Sequence, residues 1–237
     1  KGMTVTVAEN ERGFRLTDTA DGTELSITDS VGGGMITRQQ QSAFNAHGTM
    51  VWMQDPVEKP VTFKLYAGII DGANIPNTAN GIINTAKNTV FEMYGGTIRN
   101  GRGASGGNIN AAGTIHMYGG TIEKGNATTG GGNIWVNSTA HLYLHDGSIV
   151  DGTGNSNWGG NVTIQGTVTM SGGSISGGIC TNADYQMRAN VSLNGNGTLN
   201  MSGGTIDGQV SVFNSNNTKV NLSGNPVIFS STGKNHL

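Results

Sequence analysis

The chain is 237 residues long with a formal net charge of −2, 40 glycines and only 12% charged residues, a composition far from an ordinary globular mixture. Four prolines and glycines that fall in pairs exclude a collagen triplet, while the steady return of Val, Ile, Leu, Met and Tyr excludes a disordered chain. Scattered basic residues argue against nucleic acid or an anionic membrane as partner, no apolar run approaches the roughly 20 residues of a membrane span, and the lone Cys180 excludes an intrachain disulfide.

Taken in chain order, residues 1–23 are expected to begin or cap a solenoid, with Thr4-Val-Thr-Val7 and Phe14-Arg-Leu16 as short strands. No charged-then-apolar leader opens at Lys1, so a signal peptide, if there is one, is expected to lie upstream, and the chain reads as a piece of a larger protein. From residue 24 to 237 one architecture is expected. Leu25-Ser-Ile-Thr-Asp-Ser30 and Gly32-Gly-Gly-Met-Ile36 form an early coil, a looped insertion falls near 37–47, and Gly48-Thr-Met-Val-Trp-Met53 supplies that coil's third strand.

Beyond residue 60 a single phrase recurs. Its copies are Phe63-Lys-Leu-Tyr-Ala-Gly-Ile-Ile70, Phe91-Glu-Met-Tyr-Gly-Gly-Thr-Ile98, Ile115-His-Met-Tyr-Gly-Gly-Thr-Ile122, Leu142-Tyr-Leu-His-Asp-Gly-Ser-Ile149, Val168-Thr-Met-Ser-Gly-Gly-Ser-Ile175, Leu199-Asn-Met-Ser-Gly-Gly-Thr-Ile206 and Val220-Asn-Leu-Ser-Gly-Asn-Pro-Val227. The anchors Leu65, Met93, Met117, Leu144, Met170, Met201 and Leu222 are spaced 28, 24, 27, 26, 31 and 21 residues apart, one repeat per coil. Apolar and polar residues alternate within each copy, which is the two-residue period of a strand. The glycine pair makes a bend into a second short strand. After a variable loop a third strand follows at Gly107-Asn-Ile-Asn110, Gly132-Asn-Ile-Trp-Val136, Gly160-Asn-Val-Thr-Ile164, Ala189-Asn-Val-Ser-Leu193 and Gln209-Val-Ser-Val212. The fold class expected is therefore all-β, a right-handed parallel β-helix of about eight three-strand coils.

These phrases, with Leu25-Ser-Ile-Thr-Asp-Ser30, resemble the coils of secreted bacterial β-helix surface and adhesin-like proteins of the pectate-lyase-like superfamily, over about residues 24–229. The resemblance implies the fold and a secreted or cell-surface location. It carries no activity over, because such scaffolds serve as adhesins, as stalks and as enzymes cleaving acidic polysaccharides.

Five groups of residues are weighed as candidates for chemistry. The column following the Ile of each copy reads Asp71, Arg99, Glu123, Val150, Ser176, Asp207, and its alternating charges suit cross-coil ion pairs on a solvated face. Glu123 with Asp151, one coil on, is the best available acid pair for catalysis, and a weak one. His116, His141, His145 and Asp146 gather on two successive coils and include metal-capable side chains, but His116 and His145 fall in different outward columns, each near a Tyr, so ring stacking is expected and no metal is assigned. Asp-Gly pairs could lend loop oxygens to calcium, the one cofactor considered, although such pairs are ordinarily turns. Asn108, Asn133, Asn161 and Asn190 recur at one position and are read as an internal amide ladder. Finally, Tyr66, Tyr94, Tyr118 and His145 form an outward aromatic column that fades to Ser171, Ser202 and Ser223, with Tyr143 beside it and Trp135 outward on the third strand. Exposed rings stack on sugar faces or anchor protein contacts; the alternative is that the stacked tyrosines serve only to stabilise the sheet, as cross-strand pairs do.

The expected function is adhesion or glycan recognition by a non-catalytic extracellular module, with a glycan or a host or cell-surface protein as partner. The alternatives are a polysaccharide lyase or glycoside hydrolase, and a stalk whose subunits stack end to end.

Overall fold

A computed structural model describes residues 2–7, 13–17, 23–39, 49–54, 59–75, 80–155, 158–181, 189–213 and 217–231. Every strand pairing among them is parallel, and no described residue is helical. The chain winds as a right-handed β-solenoid, the hand that parallel crossovers adopt when twisted strands pack back on a sheet.

Three faces run the length of the coil stack. Face A holds the recurring phrase, in eight strands from Thr23–Ile27 to Lys219–Leu222. Face B holds the strand after the glycine bend, in nine strands from Thr4–Val7 to Val227–Phe229. Face C is the third strand, in eight copies from Phe14–Leu16 to Gln209–Val212. The anchors align in one register, Leu65 beside Met93 beside Met117 beside Leu144 beside Met170 beside Met201 beside Leu222. Thr4–Val7 and Phe14–Leu16 are the outer strands of faces B and C, pairing with Met35–Arg38 and Val51–Met53. Thr37 and Arg38 thus lie in a strand, while residues 40–47 of the expected insertion fall outside the described residues.

Alternation along each strand sends every second side chain inward. Phe91, Ile115, Leu142, Val168 and Leu199 are fully buried, as are Ile98, Ile122, Ile149 and Ile206 on face B and Ile109, Ile134 and Val162 on face C. Inside the stack Phe63 lies on Phe91 with ring centroids 4.9 Å apart.

The glycine bend is a backbone requirement. In the pairs, Gly96, Gly120, Gly147, Gly173 and Gly204 all have φ between +70° and +93°, a region costly for any residue with a Cβ. Where the predecessor is itself glycine, at Gly95, Gly119, Gly172 and Gly203, it sits on a carbonyl of the coil below; a Cβ on Gly119 would lie 2.8 Å from the Tyr94 oxygen.

Two features differ from the expected pattern. The four central coils have a fourth side, a short sheet of Arg102–Gly103, Asn126–Ala127, Thr153–Gly154 and Ile179–Cys180. Its strands follow Gly101, Gly125, Gly152 and Gly178, where the corner backbone presses on the start of face C; a Cβ on Gly125 would fall 2.3 Å from the Gly132 oxygen. At the far end Val227 is 48% exposed, and it is Ile228 that pairs with Ile206 in the inward column. The reason is length, since Gly224-Asn225-Pro226 is one residue longer than Gly203-Gly204 and flips the faces of the strand after it. Leu222, too, is 55% exposed on this last described coil.

Along the corner between the short sheet and face C runs the asparagine ladder. Asn108, Asn133, Asn161 and Asn190 are buried, and the NH2 of each of the first three donates to the next side-chain oxygen, at 2.7 Å for Asn108 to Asn133. The same NH2 groups donate to the carbonyls of Glu123, Val150 and Ser176. The side-chain oxygens of Asn108, Asn133 and Asn161 in turn accept the N–H of Gly101, Gly125 and Gly152, each at 2.8 Å. The ladder ends at a bulge that leaves Asn190 unmatched between Ala189–Gln209 and Val191–Val210.

Candidate functional site

The outer surface of face A brings the predicted aromatic residues together. Because strands are parallel and in register, equal positions stack at the inter-strand spacing of about 4.8 Å, and one aromatic per coil becomes a column. Tyr66 lies on Tyr94 with centroids 4.8 Å apart and planes 6° apart, Tyr94 on Tyr118 at 5.1 Å and 17°, and Tyr118 on His145 at 4.7 Å and 6°. The backbone supports them, since the N–H of Tyr94, Tyr118 and His145 donates to the carbonyls of Leu65, Met93 and Met117.

Beside this column runs a second, Lys64, Glu92, His116, Tyr143, Thr169, Asn200 and Asn221. His116 stacks on Tyr143 at 4.7 Å and 7°. The two columns also touch, within a coil through His116 with Tyr118 and Tyr143 with His145, and diagonally between coils through His116 with His145. The result is a double ladder of near-parallel rings.

Stacking determines what the ladder offers. The faces of Tyr94 are covered by its neighbours, so its edge and hydroxyl meet solvent; Tyr66, Tyr94 and Tyr118 remain 43%, 42% and 40% exposed. The Tyr94 hydroxyl donates to Glu92 at 3.2 Å. Partial desolvation, then the charge of Glu92, hold the Tyr94 pKa above the ordinary phenol value. Lys64 bridges Glu24 at 2.9 Å and Glu92 at 3.9 Å, so a charge cluster borders one end of the ladder. Beyond Tyr143 and His145 the surface turns to neutral polar groups, including an amide pair in which Asn221 donates to Asn200 at 2.8 Å.

The histidines occupy different columns, as expected, but they meet across the diagonal, with Nδ1 of His116 3.5 Å from Nε2 of His145. The column pattern alone hides this contact, because a diagonal neighbour belongs to the adjacent column on the adjacent coil. Burial, and after it the neighbouring His145, lower the His116 pKa below that of a free imidazole, with Glu92 opposing. His141 lies in a third column and tilts 58° against Tyr143. Asp146 accepts the N–H of Gly147 at 2.7 Å, closing its own turn. No group of three or more metal-ligating side chains occurs among the described residues.

Elsewhere the predicted positions separate. Trp135 does point out of face C, but the backbone at Gly130 lies so close above it that a Cβ there would fall 2.0 Å from the indole. Its ring tilts against Trp158 with centroids 5.1 Å apart, on a different face from the tyrosines. On the charged column Arg99 pairs with Asp71 at 2.8 Å, while Glu123 pairs with Lys124 at 3.6 Å. Asp71 also accepts bonds from Ala73 and Asn100; burial pushes its pKa up, and these donors with Arg99 outweigh that and bring it below the usual carboxylate value. Asp151 stands at a corner with φ of 55°, and among the described residues no hydrogen bond or ion pair joins it to Glu123. The Asp207 carboxylate accepts the N–H of Ser231 at 2.8 Å.

Comparison with models of known protein families, with curated proteins and with solved structures gave no match.

Proposed function

We propose that the chain is a non-catalytic recognition module, secreted or displayed at a cell surface, that binds a glycan or a surface protein through the aromatic ladder of face A. The further reading that it belongs among the surface proteins of the pectate-lyase-like superfamily rests on the repeat phrases. The observation that carries the function is the ladder itself. Tyr66, Tyr94, Tyr118 and His145 stack without interruption along one sheet, and Tyr143 and His116 widen the strip. A row of amphipathic edges held by the backbone loses little side-chain entropy when a ligand binds, which is what a rigid recognition surface needs.

The test is a binding screen of the purified chain against glycans, mucin and plant polysaccharides, with supernatants assayed for released sugars. Binding without release, lost when Tyr94 and Tyr118 are both changed to Ala, is the expected result. Binding that survives the double substitution would falsify the assignment to this face. Released products, abolished by Glu123→Gln, would replace it with the lyase or hydrolase reading.

A further inference from the structure

His116 and His145 are placed by the sheet. His116 pairs in register with Tyr143, and His145 follows the last residue of that strand, so both imidazoles are carried by hydrogen-bonded backbone on neighbouring coils. Their facing nitrogens, Nδ1 of His116 and Nε2 of His145, are 3.5 Å apart. Two imidazole nitrogens at about 2.0–2.1 Å from one ion stand about 3.3 Å apart on a tetrahedral centre and about 2.9 Å apart in cis positions of the tetragonal centre that Cu(II) prefers, so the pair closes by a few tenths of an ångström on binding.

We propose that His116 and His145 form a two-imidazole chelate for a divalent transition ion, Cu(II) most tightly, with Ni(II) and Zn(II) weaker. Imidazole nitrogen suits these three ions, and copper leads their order of affinity. The ring planes are only 4° from parallel, so the lone pairs run side by side and must be turned toward one another. The torsion that turns them is the Cβ–Cγ bond of histidine, broad and roughly two-fold rather than confined to a staggered well. The other nitrogen of His145, Nδ1, faces the Ser171 hydroxyl at 3.4 Å. Donation from that N–H to the hydroxyl leaves the Nε2 lone pair facing His116, the kind of outer contact that fixes a liganding histidine. Glu92, the register partner of His116 on the coil below, adds negative charge near the ion. With two protein ligands the remaining positions stay open to water, so the ion exchanges and the fold does not depend on it.

The test is titration of the full chain with CuCl2, NiCl2 and ZnCl2 near neutral pH, followed by calorimetry and by tyrosine fluorescence. The variants His116→Thr and His145→Ser carry residues that the same columns hold further along the stack, Thr169 two coils on and Ser171 one coil on. His141→Thr, which copies Thr167 of its own column, is the control. Expected is saturable binding of one ion per chain in the order Cu(II) above Ni(II) and Zn(II). Quenching by Cu(II) is expected because Tyr143 and Tyr118 stack on the two imidazoles. Losing one of the two coordinate bonds lowers affinity by about tenfold or more, whereas His141→Thr leaves it unchanged. If Thr or Ser disturbs the coil by circular dichroism, His116→Asn and His145→Asn take their place. Absence of saturable binding, or wild-type affinity in either single variant, overturns the proposal. The result is independent of glycan binding, which the tyrosine substitutions address.

Discussion

Replacing Asn133 with Ala removes the middle rung of the internal ladder, and its cost can be worked from the hydrogen bonds. The Asn133 oxygen accepts from Asn108 at 2.7 Å and from the Gly125 N–H at 2.8 Å, while its NH2 donates to the Val150 carbonyl at 2.8 Å and to Asn161 at 2.5 Å. At about 1 kcal/mol net for each bond, the loss is about 4 kcal/mol. Some of the partners keep a second contact: Asn108 still donates to Glu123, Val150 still accepts from Lys124, and Asn161 still accepts from Gly152. The Gly125 N–H does not, and an unsatisfied buried donor adds about 1–3 kcal/mol. A total of about 5–7 kcal/mol corresponds to a fall of about 10–30 °C in Tm for a chain of this size. The assay is thermal and guanidinium unfolding followed by circular dichroism, with Asn221→Ala as reference. That residue makes a ladder bond of similar length to Asn200 on the exposed face, and its loss is expected to stay within about 0.5 kcal/mol. Equal shifts in the two variants would refute the argument that burial, rather than the amide pairing as such, gives the ladder its energetic weight.

The other expectations concern the core and the charged column. Met117→Asp buries an unpaired carboxylate at a fully enclosed anchor; hydrogen exchange should then rise in Thr89–Met93 and His141–Leu144, the strands on either side, and unchanged protection there would count against a core carried by these columns. Asp71 has a folded-state pKa below its ordinary value, so its stabilising contribution is complete above about pH 4 and is lost as acid carries the solution down through the folded value. Asp71→Asn should flatten the acid limb of a stability-versus-pH curve, and an unaltered limb would show that other carboxylates set it.

Much of the candidate site was legible because a solenoid turns sequence period into spatial adjacency. Once Met93, Met117 and Leu144 were aligned as one column, the positions next to them had to stack as well, which placed Tyr94 over Tyr66 and His145 over Tyr118. Three things resisted that reading. The approach of His116 to His145 depends on ring directions across two columns, which a one-dimensional alignment does not carry. The partial burial of Trp135 depends on a loop folding back over face C, and loops of unequal length share no period. The short fourth strand is marked only by small residues at Gly103, Ala127 and Gly154, a weak signal beside the glycine pairs.

By itself, then, the sequence determined the architecture, the inward columns and the amide ladder, because each follows from a local period of two and a repeat of one coil, both written in the order of residues. Tertiary structure decided what lies between columns: the parallel planes that leave tyrosine edges rather than faces to solvent, the imidazole pair 3.5 Å apart, and the one-residue excess before Val227 that turns Ile228 toward the core. These depend on side-chain direction and chain length in three dimensions, where a displacement of one residue or one ring torsion changes which groups meet.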